Sequence, residues 1–156
     1  MKNIRLTDFD YSTNGTYFIT VCSENKRCIF GDIVGQGLCS CRLSDIGQII
    51  KTEIENLNIR YPEITIDNYI IMPNHVHLLL NLERQEQSPC PTISDVICSL
   101  KSITTKKANV YDNAKGRKIW QRSFYDHIVR NQNDYKQIWN YIEFNVAKWN
   151  EDKYFI

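Results

Sequence analysis

Residues Ile64 to Leu82 read ITIDNYIIMPNHVHLLLNL, two runs of β-branched and large apolar residues with Pro73-Asn74 between them. Runs of this kind form strands, and the dipeptide between them forms a turn. Ile64 to Met72 and His75 to Leu82 are therefore expected as two antiparallel strands. The unbroken Leu78-Leu79-Leu80 leaves the second strand no polar face, so it belongs inside a sheet covered on both sides. A chain with this feature must supply flanking strands and covering helices, and the remaining sequence offers both.

Thr16 to Ser23 (TYFITVCS) follows the turn signal Asn14-Gly15 and is rich in β-branched and aromatic residues. Cys28 to Val34 (CIFGDIV) comes after a short charged break, and the two segments read as a hairpin. Gly35 to Leu43 adds a short strand. Ser44 offers an N-cap, and Ile46, Ile49, Ile50, Ile54 and Leu57 recur at helical spacing, predicting an amphipathic helix from Ser44 to about Arg60, stopped by Tyr61-Pro62. A second helix is expected from Thr92 to about Asn109, capped at Thr92 or Ser94, and a strand from Ser123 to Arg130. A last helix, capped by Asn133 or Asp134, runs to about Asn150. After the opening hairpin the order is strand, helix, strand, strand, helix, strand, helix. This is the split βαβ pattern of an α+β, ferredoxin-like antiparallel sheet (βαββαβ) with an N-terminal hairpin extension and a C-terminal helix.

At 156 residues, 42% of them hydrophobic, the chain suits one domain with one core, spanning residues 1–156. No apolar run approaches the ~20 residues of a membrane span, and Met1 to Tyr11 is polar without a signal-peptide core. A cytoplasmic protein that does not enter membranes is expected. The six cysteines are then free thiols rather than a disulfide framework. Net charge is +1 and argues nothing alone. Its distribution is more informative: Lys101 to Arg130 holds eight basic residues against Asp112 and Asp126, the footprint of a phosphate-binding face or of a solvated helix surface.

The sharpest local signal is His75-Val76-His77. Side chains alternate along a strand, so both imidazoles point to one face while Val76 points to the other. Two such rings can converge on one metal ion; two solvated histidines are the plainer alternative. The final helix supplies candidates to join them. Its apolar stripe is Tyr135, Ile138, Trp139, Ile142, Val146 and Trp149, with Asn145 at the stripe's edge and Tyr141 just beyond, one turn away. A helix packed on the sheet can present both to one site; the plainer alternatives are an amphipathic residue at a core margin for Tyr141 and a polar surface residue for Asn145.

These residues carry a family resemblance. NYIIMPNHVHLLL is similar to the His-hydrophobic-His motif of HUH endonucleases in the single-tyrosine transposase branch. IWQRSFYDHIVR at 119–130, followed by YIEFN at 141–145, resembles the C-terminal signature of REP-associated tyrosine transposases, and the opening DYSTNGTYFITVCSENKRCIFGDI is also similar to that group. The resemblance implies that His75, His77 and Asn145 bind a divalent ion, Mg2+ or Mn2+, and that Tyr141 is the nucleophile. Many relatives carry Asn-Pro in this helix where this chain has Asn145-Val146, so the helix is expected to continue unbroken. The implied partner is single-stranded or hairpin DNA, handled by a monomer or homodimer in the cytoplasm, associated with the nucleoid.

The chemistry suits these residue types. A divalent ion polarises phosphate oxygens and stabilises a leaving oxygen, and two neutral imidazoles with an amide oxygen leave its charge undiminished. Tyrosine attack stores the bond as a 5′-phosphotyrosine. The sequence names no general base for it. Lys107, Lys118 and Arg122 are candidates for the DNA backbone, with Trp120 stacking on an unpaired base or packing in the core. A metal-dependent single-stranded DNA endonuclease and strand transferase acting on hairpin-forming ends is the preferred reading. The alternatives are a domesticated DNA-binding protein recognising palindromic repeats without transposition, and a metallohydrolase of small phosphoesters.

Overall fold

A computed structural model describes residues 15–34, 40–84 and 89–151. In chain order these form β1 (Gly15–Cys22), β2 (Gly31–Val34), β3 (Ser40–Leu43), α1 (Asp45–Glu55), the single-turn α2 (Leu57–Arg60), β4 (Ile64–Ile71), β5 (His75–Leu82), α3 (Ile93–Tyr111), β6 (Tyr125–Ile128) and α4 (Gln132–Glu143). The main sheet has the order β4-β5-β1-β6, with every neighbouring pair antiparallel. Among the described residues no helix is long and apolar enough to cross a membrane.

The hairpin expected between Thr16–Ser23 and Cys28–Val34 does not form. β2 pairs instead with β3, as a separate two-stranded sheet. The reason is that both edges of β1 are already taken. β5 occupies one along its whole length, from Gly15 opposite Leu82 to Cys22 opposite His75. β6 takes the other, and beyond it residues 119–121 continue along the end of the strand: Gln121 N–H donates to the Cys22 carbonyl at 2.9 Å, and Ser23 bridges Trp120. The chain leaves β1 through a turn in which Asn25 and Lys26 take φ of 56° and 54°.

Alternation along β1 and β5 divides the molecule into two layers around the sheet. Tyr17, Ile19 and Val21 join Val76, Leu78, Leu80 and Leu82 in the larger core, under Ile50 and Ile54 of α1 and Val96, Ile97 and Leu100 of α3. Each fully buried side chain of this size contributes ~1.5–3 kcal/mol. Helix α1 starts where expected, Ser44 Oγ accepting from Gly47 N–H at 3.1 Å. Gly47 is also needed for close approach, since a Cβ there would stand 2.1 Å from the Phe30 carbonyl oxygen. Helix α3 carries a complete capping box, Thr92 with Asp95.

The opposite face is covered thinly. Phe18 and Leu79 meet Ile138 and Ile142 of α4, the only buried side chains of that helix. Hydrogen bonds supplement this small apolar contact. Tyr135 donates its hydroxyl to Asp67 Oδ2 at 2.8 Å, and Asn68 Nδ2 donates to Glu143 Oε1 at 3.0 Å, one latch near each end of α4. Both partners come from the point in β4 where the register slips between Ile66 and Asn68. Such a bulge re-aims side chains, and here it turns two polar ones toward the helix.

Candidate active site

His75 and His77 stand on β5 in phase with Leu79, on the α4 side of the sheet, and are 0% and 1% exposed. Their Nε2 atoms face each other at 3.1 Å. Each ring is oriented from behind. Asn74 Nδ2 donates to the Lys26 carbonyl at 3.2 Å, so its Oδ1 is the atom that accepts from His75 Nδ1–H at 2.8 Å. His77 Nδ1 pairs with Thr20 Oγ1 at 2.8 Å, and Thr20 is 2% exposed. With Nδ1 protonated and bonded, the neutral ring turns a lone pair outward at Nε2, the form in which histidine binds metal. Two such lone pairs repel at this distance unless a proton or a cation lies between them. Two nitrogens held ~2.1 Å from one ion on adjacent octahedral positions stand ~3.0 Å apart, so the pair fits a shared divalent ion.

The α4 end of the chain closes over these rings. Tyr141 meets His77 edge-on with centroids 5.1 Å apart, and meets Phe18 at 6.0 Å. Trp149 stacks on His75 at 5.9 Å. Asn145 lies four residues from each of them, 3% exposed, with an Oδ1 that has no hydrogen-bond partner among the described residues. A buried amide oxygen left unmet costs ~1–3 kcal/mol. Among the described residues no three of His, Cys, Asp and Glu gather to hold a metal, so an ion at the histidines needs a ligand of another type, and Asn145 Oδ1 is available for it.

The last helix differs from expectation at both ends. Its cap is Asn131, whose side chain accepts from Asp134 N–H at 2.9 Å, rather than Asn133 or Asp134. It ends at Glu143 rather than near Asn150. Asn145 N–H donates to Ile142, three residues back at 3.3 Å, and Trp149 N–H to Val146 likewise at 3.2 Å. The backbone tightens into turns that keep an approximately helical course, so the apolar spacing persists after the helix has stopped. Asn145 is therefore not a mid-helix residue but the second residue past the end.

His127 is held away from the histidine pair, its Nε2 bonded to Asp134 Oδ2 at 2.8 Å. The hydrogen bond from His127 helps to hold the Asp134 carboxyl below its ordinary range, against the effect of burial. Tyr125 packs on Phe18. Burial, reinforced by Asp67, pushes the Tyr135 hydroxyl up to about 12.

The four residues expected to meet DNA separate into two groups. Lys118 and Arg122 are exposed and border a cleft of about 600 Å3 beside α3, with Lys106 on its other wall. Lys107 instead forms an ion pair with the buried Glu53. Trp120 is 6% exposed, donates its indole N–H to Thr104 Oγ1 at 2.9 Å and lies 4.8 Å from Phe30. Its ring is packed in the core, so the stacking role gives way to packing. The ammonium of half-buried Lys101 is held by the carbonyls of Gln121 and Arg122, at 2.5 and 3.1 Å, and burial lowers its pKa. It fastens the segment that carries Arg122. That segment flanks Cys22 on one side while His75 flanks it on the other, so the basic cleft and the imidazoles occupy one end of the sheet. Thr20 and Trp149 become neighbours of the histidines only through strand pairing and chain return, whereas Asn74, directly before His75, was within reach of the pattern. The pattern alone could have singled out Lys106.

Residues 13–145 match the family model described as Transposase IS200 like. An uncharacterized protein of Haemophilus influenzae is 32% identical over 176 residues, covering 99% of this chain and 93% of its own. The REP-associated tyrosine transposase of Escherichia coli is 27% identical over 139 residues, covering 88% of this chain and 70% of its own. A solved structure of a REP-associated tyrosine transposase bound to a REP hairpin has the same fold, with a TM-score of 0.62 and 24% identity over 98% of this chain and 77% of the other. The sheet with its paired histidines, the aromatic helix laid over them and these likenesses converge on one conclusion: the chain belongs to the family of IS200-like tyrosine transposases.

Proposed function

We propose that this protein is a single-stranded DNA endonuclease and strand transferase that acts on hairpin-forming DNA ends through a 5′-phosphotyrosine at Tyr141. The observation that carries the reading is the seat of the Tyr141 ring on His77, 5.1 Å between centroids, beside two inward-facing Nε2 atoms 3.1 Å apart. The sheet order β4-β5-β1-β6 with antiparallel neighbours agrees with a ferredoxin-like topology extended by the tyrosine helix. The DNA partner is supported by relatives named for REP-associated transposition and by the exposed basic side chains Lys106, Lys118 and Arg122. Such an enzyme works on DNA in the cytoplasm, at the nucleoid.

In this reading His75 and His77 through Nε2, and Asn145 through Oδ1, would hold Mg2+ or Mn2+. When bound, the ion would supply positive charge for the phosphate oxygens and the leaving 3′ oxygen. The protein's own groups do the rest. Lys118 and Arg122 hold the backbone of the strand, and α4, latched to β4, fixes Tyr141 over the site. The Tyr141 oxygen attacks phosphorus, the bond from phosphorus to O3′ breaks, and the tyrosine proton is matched by the one the leaving 3′-OH gains. Attack by a 3′-OH on the phosphotyrosine reverses these steps and joins strands without a nucleotide cofactor.

The test is covalent trapping. Wild-type protein and Tyr141→Phe are incubated with hairpin-bearing single-stranded oligonucleotides from DNA flanking the gene, with Mg2+, Mn2+ or EDTA, and resolved on a denaturing gel. A metal-dependent protein–DNA band in wild type alone is expected. A band of equal strength in Tyr141→Phe would remove the nucleophile assignment, and hairpin binding without any band would favour the domesticated binding protein.

A further inference from the structure

Past the end of α4 the chain exposes an aromatic ring where it has no packing reason to do so. Phe144, the C-cap residue, is 58% exposed, and Tyr141, three residues earlier, is 40% exposed. Residues three apart share a side of a helix, and these two border one cleft of about 360 Å3 together with Gln137, Asn140 and Lys148. That volume is at the small end of the ~300–1,000 Å3 typical of small-ligand pockets. It suits a single unpaired nucleotide, not a duplex.

The walls match such an occupant. Phe144 offers an open ring face, and base–aromatic stacking is the main sequence-tolerant way of holding an unpaired base. The amides of Gln137 and Asn140 both donate and accept, and Lys148 and Glu151 bring one charge of each sign, so the ring rather than net charge is what holds the base. Asn145 also lines the cleft, 3% exposed, with its Oδ1 unmet among the described residues. The early end of α4 creates the arrangement. Where the helix stops at Glu143, Asn145 turns inward and Phe144 is left outside.

We propose that this cleft seats the nucleotide whose 5′ phosphate becomes joined to Tyr141, with its base stacked on Phe144. The proposal rests on the strand-transfer reading of Tyr141. It adds a specific neighbour on the 3′ side of the scissile bond, held by the helix that carries the nucleophile.

A double-substitution cycle tests it. Sequencing the adduct formed by wild-type protein on the flanking-DNA hairpin oligonucleotides identifies the nucleotide next to the linked phosphate. Single-turnover adduct formation is then measured for wild type, Phe144→Ala and Phe144→Trp, on the natural oligonucleotide and on one abasic at that nucleotide. Loss of the stack in Phe144→Ala should slow the reaction about 5- to 150-fold, Phe144→Trp should retain it, and the abasic oligonucleotide should slow wild type by a similar factor. Combining Phe144→Ala with the abasic site should add little. An unchanged rate in Phe144→Ala, or losses that multiply, would overturn the stacking assignment while leaving the nucleophile standing. Absence of any wild-type adduct would instead remove the strand-transfer reading and this proposal with it. Circular dichroism on Phe144→Ala excludes unfolding as the cause.

Discussion

Tyr135 donates its hydroxyl hydrogen to Asp67 across 2.8 Å, tying the first turns of α4 to the bulge in β4. Burial first, and Asp67 second, push that hydroxyl up to about 12. The folded protein thus keeps a proton that an unfolded tyrosine releases near ~10. Stability from this source is complete below about pH 10 and declines as pH rises through about 12. Tyr135→Phe should lose ~1 kcal/mol at neutral pH and show a shallower alkaline decline than wild type. Urea midpoints at several pH values between 7 and 12 check both; Tyr69, whose hydroxyl burial and then Glu55 also push up to about 12, is common to the two proteins.

Thr20 holds His77 by its Nδ1 atom at 2.8 Å. Replacing a partner of this kind costs ~10–100-fold in metal affinity. Thr20→Val keeps the shape but removes the acceptor, and Mn2+ titration by calorimetry should show that loss with the fold intact. Equal Mn2+ affinity in Thr20→Val and wild type would argue against an ion on the imidazole pair.

Lys107 and Lys118 are both basic, yet their substitution should have opposite consequences. Lys118→Ala should reduce the salt dependence of hairpin binding, lowering the log–log slope by about 1, with unchanged stability. Lys107→Ala should leave that slope alone and instead destabilise the fold by ~1.5–3 kcal/mol, because Glu53, 1% exposed, then keeps Arg60 at 2.8 Å as its one cation among the described residues. Binding measured across a salt series and thermal denaturation separate the two.

Trp120→Ala should cost ~3–5 kcal/mol, as expected when a large core ring is removed, since the indole lies 4.8 Å from Phe30 and bonds Thr104. Trp120→Phe, which keeps most of the packing, should recover most of it. If a Trp120→Phe protein of near-native stability failed to bind hairpins, the ring would be contacting DNA after all.

Most elements were legible in the sequence because their determinants are local. Ser44 and Thr92 cap the helices they were expected to cap, and Val76 and Leu78 alternate with the histidines as a strand requires. Partner choice is not local. The turn after Cys22 looks like a hairpin loop, and nothing near it announces that 119–121 will claim the edge it needs. The end of α4 was hidden for a different reason. Ile138, Ile142 and Trp149 keep nearly helical spacing through turns bonded three residues apart, so apolar periodicity continues where the regular helix does not. The partner of His77 was beyond reach because Thr20 is 57 residues away and meets it only through the β1–β5 register.

The latches at the two ends of α4 also bear on inheritance of function between copies. They join the helix that carries Tyr141 to a strand of its own chain, so Tyr141 and the imidazoles travel as one body. Mixing His77→Ala with Tyr141→Phe should therefore give no more adduct than either alone, since a lesion in one molecule finds no remedy in its neighbour.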